Sequence, residues 1–497
     1  MRKQLLLLTA TAAMASCLTG CGSDGPEQKI VFWHCLGHAK TIELNKVAKR
    51  FNEKYVGQYK MDLVHLAGDY DGLHDSLKTK LSSGEVPALS MGYPDSFAEY
   101  IGKVQDESAI LKLDDFINDP EIGYTQTEIN DFVKGYWDEG KGYHFDGVWS
   151  VPMYKSTEVM YYNRSYMDGL NEQNKAKFAN DAQFKTLSEK VSGKTRESSA
   201  TFTADLAALK EYVVANGGYT YTIPTKWDDM ITLARQIMAD RTAQNVKGEF
   251  YPLGYDSDAN MIISQFAQRG IDYTVNDAES KADPEKHFKF NTTEAKAFVQ
   301  DILNLVNDKV MVTKGSLGGN KYTNDYFGEG KLVMTIGSTG GSSYNISSNF
   351  QVDLAQVPYY GETPKYIQQG PSICLFNNDD ENIHKGAWLF YKELAEVESN
   401  AALALENSYD PIRTSSYDTD NYKTWIAQAG KGLKYDIPAM TATLKNYYFT
   451  SPTFIGSGTA RNEIGQIINN VKNKGVSLDD AFNAAFTKCK NAAKAAR

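Results

Sequence analysis

The chain has 497 residues, a formal net charge of −10, 42% hydrophobic and 12% aromatic residues. That length exceeds what one hydrophobic core holds, so two domains are expected. The acidic balance, with no long like-charge run, argues against a nucleic-acid partner.

The amino terminus reads as a processing signal. Met1-Arg2-Lys3 is basic, and Leu5 to Ala15 is apolar but too short to span a bilayer. Leu18-Thr19-Gly20-Cys21 follows and resembles the bacterial lipobox. That resemblance implies removal of residues 1–20 and a lipid on Cys21; the alternative is a chance cysteine in an ordinary signal peptide. Residues 21–28 are short and polar, a flexible tether. The expected state is anchored to the cell membrane on its extracytoplasmic side and otherwise soluble, because no later run is long and apolar enough to cross. Beyond Cys21, only Cys35, Cys374 and Cys489 remain. Their spacing fits no metal knuckle, so buried thiols are expected rather than a Cys35–Cys374 disulfide or a metal site.

Lys29 to His34 reads as a strand. Leu44, Val47, Ala48 and Phe51 hold the i, i+3, i+4, i+7 spacing of a helix. Tyr59 to Leu66 alternates as a second strand. Leu73, Leu77 and Leu81 mark a helix that stops at Gly84. Val86 to Met91 is a third strand, followed by Gly92-Tyr93-Pro94-Asp95 and another helix. This rhythm means a parallel sheet, on which ligands lie outside the carboxyl ends of the strands. Those ends are Trp33-His34, Asp69-Tyr70 and Tyr93-Asp95. Val148 to Asn163 then changes character: an extended run with Pro152 gives way to Tyr154-Lys155-Ser156-Thr157, then Val159 to Tyr162 as a buried strand. It is either an edge strand or a first crossing between two lobes.

Residues 170–222 are polar and weakly helical. Trp227 opens a helix, Pro252 to Asp256 is a strand and turn, and Met261 to Ala267 and Phe298 to Leu305 are helical. Leu332 to Ile336 is a buried strand ending in the glycine- and serine-rich loop 337–343, which opens into a helix. Val352 to Val357 and Ser372 to Phe376 are strands. Helices follow, with stripes Ala387/Phe390/Tyr391/Leu394, Ile464/Ile467/Ile468/Val471 and Leu478/Phe482/Ala485/Phe486.

The order of these motifs resembles extracellular solute-binding proteins of family 1, the sugar and glycerol-phosphate receptors of ABC importers. Phe32-Trp33-His34, Pro152 to Thr157 with Tyr161-Tyr162-Asn163, Thr225 to Asp229, Phe327 to Thr335, and Ser408 to Arg413 carry the resemblance. It implies an α/β, two-lobed periplasmic-binding-protein-like fold of type II, with discontinuous lobes joined by strand-like hinge crossings. The crossings are expected near Val151-Pro152, Val333-Met334 and Tyr360-Gly361. Residues 29–151 and 334–360 would then form the first lobe, and 152–333 and 361–497 the second, with 170–222 as a helical accessory. It also implies a monomer that binds a small sugar without a cofactor, closes on it by hinge motion and delivers it to permease subunits.

The resemblance implies a set of ligand contacts. Trp33, Tyr70, Tyr93 and Asp95 are expected on the rim of the first lobe, although Asp95 also fits a helix N-cap. Tyr154, Lys155 and Ser156 are expected on the crossing. Ser338 and Thr339 are expected at a helix start that favours oxygen-rich groups. Gly370 would approach ligand through its backbone, and Tyr409 and Arg413 would complete the set. The glycerol-phosphate branch carries a phosphate-holding arginine in the segment matching Tyr448 to Gly456, which here has no basic residue. The implied ligand is therefore a neutral sugar, with glycerol-3-phosphate or a glycerophosphodiester as the alternative. G-x-S-x-G, H-E-x-x-H and a complete Walker A are absent, so an enzyme is not expected, although paired glycosidase carboxylates leave no sequence signature.

Overall fold

The structure is a computed structural model that describes residues 27–101, 108–143, 145–378 and 380–495. Cys21 and the lipobox lie outside the described residues. Among the described residues, strands run in chain order as β1 (Gln28–His34), β2 (Tyr59–His65), β3 (Leu89–Gly92), β4 (Val151–Pro152), β5 (Ser156–Asn163) and β6 (Tyr251–Tyr255). They continue as β7 (Met311–Thr313), β8 (Leu332–Ser338), β9 (Val352–Ala355), β10 (Tyr366–Gln369), β11 (Ser372–Leu375) and β12 (Tyr448–Phe449).

Two sheets result, one per lobe. The first has the order β2-β1-β3-β11-β4, with β1 parallel to β2 and β3 and with β11 antiparallel to its neighbours. The second has the order β12-β10-β5-β8-β6-β7, with β9 also on β5. Within it β6 runs parallel to β7 and β8, while β5 is antiparallel to β8.

Local sequence explains these elements. Along β1, Ile30, Phe32 and His34 are buried while Trp33 points to the other face, half-buried, as a period of two requires. The helix Ile42–Lys54 buries Leu44, Val47, Ala48 and Phe51. The Phe51 ring meets Phe390 edge-on at 5.4 Å, joining helix Glu381–Leu394 to the first core. Cys35, Cys374 and Cys489 are free thiols, the last two buried.

The sheets correct the expected chain division. β8 and β9 both pair with β5 in the second sheet, so 334–360 does not belong to the first lobe. The crossings near Val333-Met334 and Tyr360-Gly361 are therefore not found. Residues 361–497 are themselves divided. β11 joins the first sheet, and Trp388, Phe390 and Leu403 enter the first core, whereas Phe454, Ile464, Ile467 and Phe482 enter the second. The chain passes between sheets at Met153–Lys155, from β4 to β5, at Gly370–Pro371, from β10 to β11, and a third time between β11 and β12. An apolar run such as Leu332 to Ile336 reads as a central strand of either sheet, which is why the sequence does not place it.

The interval 170–222 folds as helices Glu172–Lys177, Ala182–Val191 and Phe202–Ala215. They close over their own small core of Phe178, Phe184, Val191, Phe202, Leu206, Leu209 and Val213. Among the described residues, no helix is long and apolar enough to cross a membrane.

Candidate ligand-binding cleft

The two lobes face each other across a cavity of about 380 Å³. The first lobe contributes Asp71, in the helix that follows β2, and Tyr93, just after β3. The second lobe contributes Asp256, Lys314 and Ser338, at the carboxyl ends of the parallel strands β6, β7 and β8. This is where an open α/β sheet leaves unpaired backbone and room for a ligand. Antiparallel β5 adds Glu158, opposite Ser338. Helix Ser457–Lys474 adds Arg461 from its first turns.

The acids of this wall differ in their partners. Glu158 accepts from Tyr255 Oη at 2.6 Å and from Asn260 Nδ2 at 2.8 Å, and burial pushes it up to about 7. Asp258 accepts from Thr313 Oγ1 and from the Gly315 amide, both at 2.7 Å, which pins the loop after β7; burial pushes it up to about 6. Asp256 is also pushed up to about 6 by burial, yet no hydrogen-bond donor reaches its carboxylate among the described residues. Arg461 donates to Asn260 Oδ1 and lies against the Gln369 side-chain amide, whose oxygen would accept from it once the amide is turned over. Lys314 rests its ammonium 3.9 Å from the Tyr322 ring centroid. Gly337 makes room for this arrangement: a Cβ there would come within 3.0 Å of Asp256 Oδ2.

The first lobe carries a group of tyrosines, of which Tyr93 lines the cavity and Tyr70, Tyr154 and Tyr409 pack at the first core. Tyr70 and Tyr93 stand 4.4 Å apart by ring centroids, and Tyr154 and Tyr409 stand 4.5 Å apart. Tyr409 crosses to the second lobe, where a Cβ on Gly340 would lie 2.6 Å from its ring. The lobes are in direct contact. Ser457 Oγ donates to Asp95 Oδ1 at 2.5 Å, and Lys40 Nζ donates to Gly340 O at 2.8 Å.

The expected site residues therefore separate into groups. Tyr93 and Ser338 line the main cavity, and Asp95 and Gly370 line a smaller adjoining one. Tyr70 and Tyr409 belong to the tyrosine group. Trp33 packs against the first core. Tyr154 is fully buried with its hydroxyl unpartnered, and Ser156 Oγ donates to Gln369 O at 3.3 Å. Thr339 is buried beside Ser338, also with an unpartnered hydroxyl.

Lys155 and Arg413 do not face the cleft. The Lys155 side chain is 0% exposed and pairs with Glu139 beneath the crossings, donating also to Ser372 Oγ at 3.0 Å and Gly370 O at 3.3 Å. A buried ammonium needs such partners, and solvent-facing ligand hydroxyls would not supply them. Arg413 is buried in the first lobe. It donates to Ala395 O at 2.7 Å and Glu128 O at 3.0 Å, with its guanidinium 4.1 Å from the Phe132 ring centroid. Gly370 has φ 129°. A Cβ there would meet Tyr154 O at 2.8 Å and Lys155 Cα at 2.9 Å. Glycine at this position lets the two crossing segments touch.

Glu158, Asp256, Asp258, Lys314 and Arg461 were not singled out from the sequence. The signal was present in Tyr255-Asp256-Ser257-Asp258, two acids at a strand end. The arginine-free segment Tyr448 to Gly456 ends one residue before the helix that carries Arg461, so a cation does reach the cleft.

Residues 46–430 match the family model described as bacterial extracellular solute-binding protein. The chain belongs to that family. Among curated relatives, the sn-glycerol-3-phosphate-binding periplasmic protein UgpB of Pectobacterium atrosepticum is 24% identical over 434 residues, 84% of this chain and 80% of that protein. Solved solute-binding structures share the two-lobed fold. UgpB from Mycobacterium tuberculosis in complex with glycerophosphocholine aligns at a TM-score of 0.66 with 15% identity, covering 95% of this chain and 99% of that one. The substrate-binding protein Lmo0181 from Listeria monocytogenes, in complex with cycloalternan, aligns at 0.64 with 14% identity, covering 94% and 98%. At these identities the likeness shows the fold, a two-lobed type II arrangement, and leaves the ligand to the cleft's own residues.

Proposed function

We propose that this solute-binding protein is the receptor of an ABC importer, lipidated at Cys21, that captures a carbohydrate between its lobes and delivers it to permease subunits. In this reading it acts as a monomer, needs no cofactor and catalyses no reaction. The cleft supports it through one observation above others. Carboxylates at the strand ends, the ring of Tyr322 beside them and the ring of Tyr93 from the opposite lobe converge on one 380 Å³ cavity. Carboxylates accept the many O–H donors of a sugar, and flat rings cover its C–H faces. Inter-lobe hydrogen bonds such as Ser457–Asp95 support closure as the capturing motion.

A second reading is glycerol-3-phosphate or a glycerophosphodiester. Arg461 in the cleft favours it, as does the glycerol-3-phosphate for which the UgpB relative is named. A thermal-shift screen across mono- and oligosaccharides, glycerol-3-phosphate and glycerophosphodiesters separates the two. A ligand at about 100 times its Kd adds about 2.7 kcal/mol of stability. Stabilisation by saccharides supports the first reading, and stabilisation by the phosphate compounds alone replaces it with the second.

A further inference from the structure

Asp256 and Lys314 stand on neighbouring strands. Tyr255 and Thr313, the residues just before them, are paired in the parallel β6–β7 ladder. The two side chains thus rise side by side into the main cavity. Among the described residues, neither is tied up in a hydrogen bond or ion pair, although Lys314 also rests on the Tyr322 ring. Among the described residues, no donor is hydrogen-bonded to Asp256, and Lys314 forms no ion pair within 4.0 Å. Of the other charged groups of the second lobe's wall, Glu158 is committed to Tyr255 and Asn260, Asp258 to the loop after β7, and Arg461 to Asn260, while Asp71 faces them from the first lobe.

A second observation comes from the space next to it. The adjoining smaller cavity shares Tyr93, Gln369 and Arg461 with the main one. It is also lined by Gln368, which is 4% exposed and whose amide nitrogen has no acceptor. A buried donor left without a partner costs about 1–3 kcal/mol unless something fills the role.

We propose that Asp256 and Lys314 are the specificity-determining pair of this cleft, gripping neighbouring hydroxyls of an uncharged saccharide while Asp256 excludes phosphate-bearing ligands. The proposal rests on the carbohydrate reading above and narrows it. A carboxylate accepts two O–H bonds, and an ammonium beside it donates to the lone pairs of the same oxygens. One pair of unlike charges thereby satisfies two hydroxyls that act as donors and acceptors at once. A phosphate at that position would meet Asp256 with Asp71, Glu158 and Asp258 around it. In a partly desolvated cavity the four carboxylates outnumber the two cations, Lys314 and Arg461, and Arg461 is already engaged by Asn260, so the like-charge contact works against binding.

The test uses the full chain in detergent and its Asp256→Asn and Lys314→Gln variants. Calorimetric titrations would use glucose, galactose, mannose, maltose, maltotriose, glycerol-3-phosphate and glycerophosphocholine. Circular dichroism of the unliganded proteins checks that each variant is folded, and Asp256→Asn keeps the side-chain shape. The proposal predicts that a saccharide binds the parent protein and loses about 10- to 100-fold in affinity in each variant, the range expected for removing one charged hydrogen-bonding partner. It also predicts that glycerol-3-phosphate binds Asp256→Asn more tightly than the parent. Unchanged saccharide affinity in both folded variants would overturn the pair while leaving the carbohydrate receptor intact. Tighter binding of glycerol-3-phosphate than of any saccharide by the parent would overturn the exclusion and restore the phosphate reading. No binding of any compound would overturn the carbohydrate reading itself, and the pair with it.

Discussion

The crossings between lobes hinge on one buried ion pair, and its removal is a quantitative test. The Lys155 side chain is 0% exposed and its partner Glu139 is 10% exposed. Replacing Glu139 by Gln leaves the ammonium with Gly370 O and Ser372 Oγ, two neutral acceptors. Breaking a buried pair in this way costs about 3–5 kcal/mol, because the remaining charge loses its counter-charge but not its burial. Burial already pushes the Glu139 carboxyl up despite Lys155 beside it, so desolvation is a large opposing effect at this site. It follows that Lys155→Met together with Glu139→Leu, which removes both charges, costs less than either single change. Urea unfolding monitored by circular dichroism measures Glu139→Gln, Lys155→Met, Glu139→Leu and the Lys155→Met/Glu139→Leu double variant, with the coupling read from the cycle of the last three. Single variants within about 1 kcal/mol of the parent, or a double variant that costs the sum of the singles, would refute this account of the crossing.

Other consequences are as direct. Gly370→Ala forces a Cβ into Tyr154 O at a φ of 129° and should lower stability by about 1–3 kcal/mol, read from the thermal midpoint. Glu99 feels burial, which opposes its ionisation, but hydrogen bonds from His74 and Lys78 hold its carboxyl down at about 2. Its folded value lies below its unfolded one, so its stabilisation is present above about pH 4.5 and is lost as pH falls towards 2. Glu99→Gln should therefore flatten the acid limb of the stability profile. Saccharide affinity should fall as pH drops through about 6, where Asp256 takes up a proton and loses acceptor capacity. Asp258, Glu158, Asp71, Lys314 and Arg461 face the same cavity, so Asp256→Asn isolates the part due to Asp256 by removing that part of the slope. Leu209→Ala should cost about 2–5 kcal/mol in the accessory core and leave saccharide affinity unchanged in calorimetry.

Much of the fold was legible because strong periodicities decide local structure. The stripe Leu44, Val47, Ala48 and Phe51 buries as the spacing requires, and the alternation in β1 sets Trp33 opposite Phe32. The lobe assignment of Leu332 to Ile336 was not legible, because an all-apolar strand satisfies either sheet and only its partner β5 decides. The site divides along the same line. Tyr93 and Ser338 follow from strand ends, which local sequence marks well. Lys155 and Arg413 read as ligand contacts because they sit in the blocks Pro152 to Thr157 and Ser408 to Arg413 that carry the family resemblance. Their true partners, Glu139 and the carbonyls of Ala395 and Glu128, are 16 and more residues away and become neighbours only in the folded lobes. Asp256, Lys314 and Arg461 come from three distant segments and converge only when two sheet ends and one helix meet.

The most direct test of the whole account is a calorimetric titration of the full chain with neutral saccharides and, separately, with glycerol-3-phosphate. The account predicts saturable binding of a saccharide, one molecule per chain, with no sugar product released and no comparable heat from glycerol-3-phosphate. Binding of glycerol-3-phosphate alone, or hydrolysis of the saccharide during the titration, would contradict it.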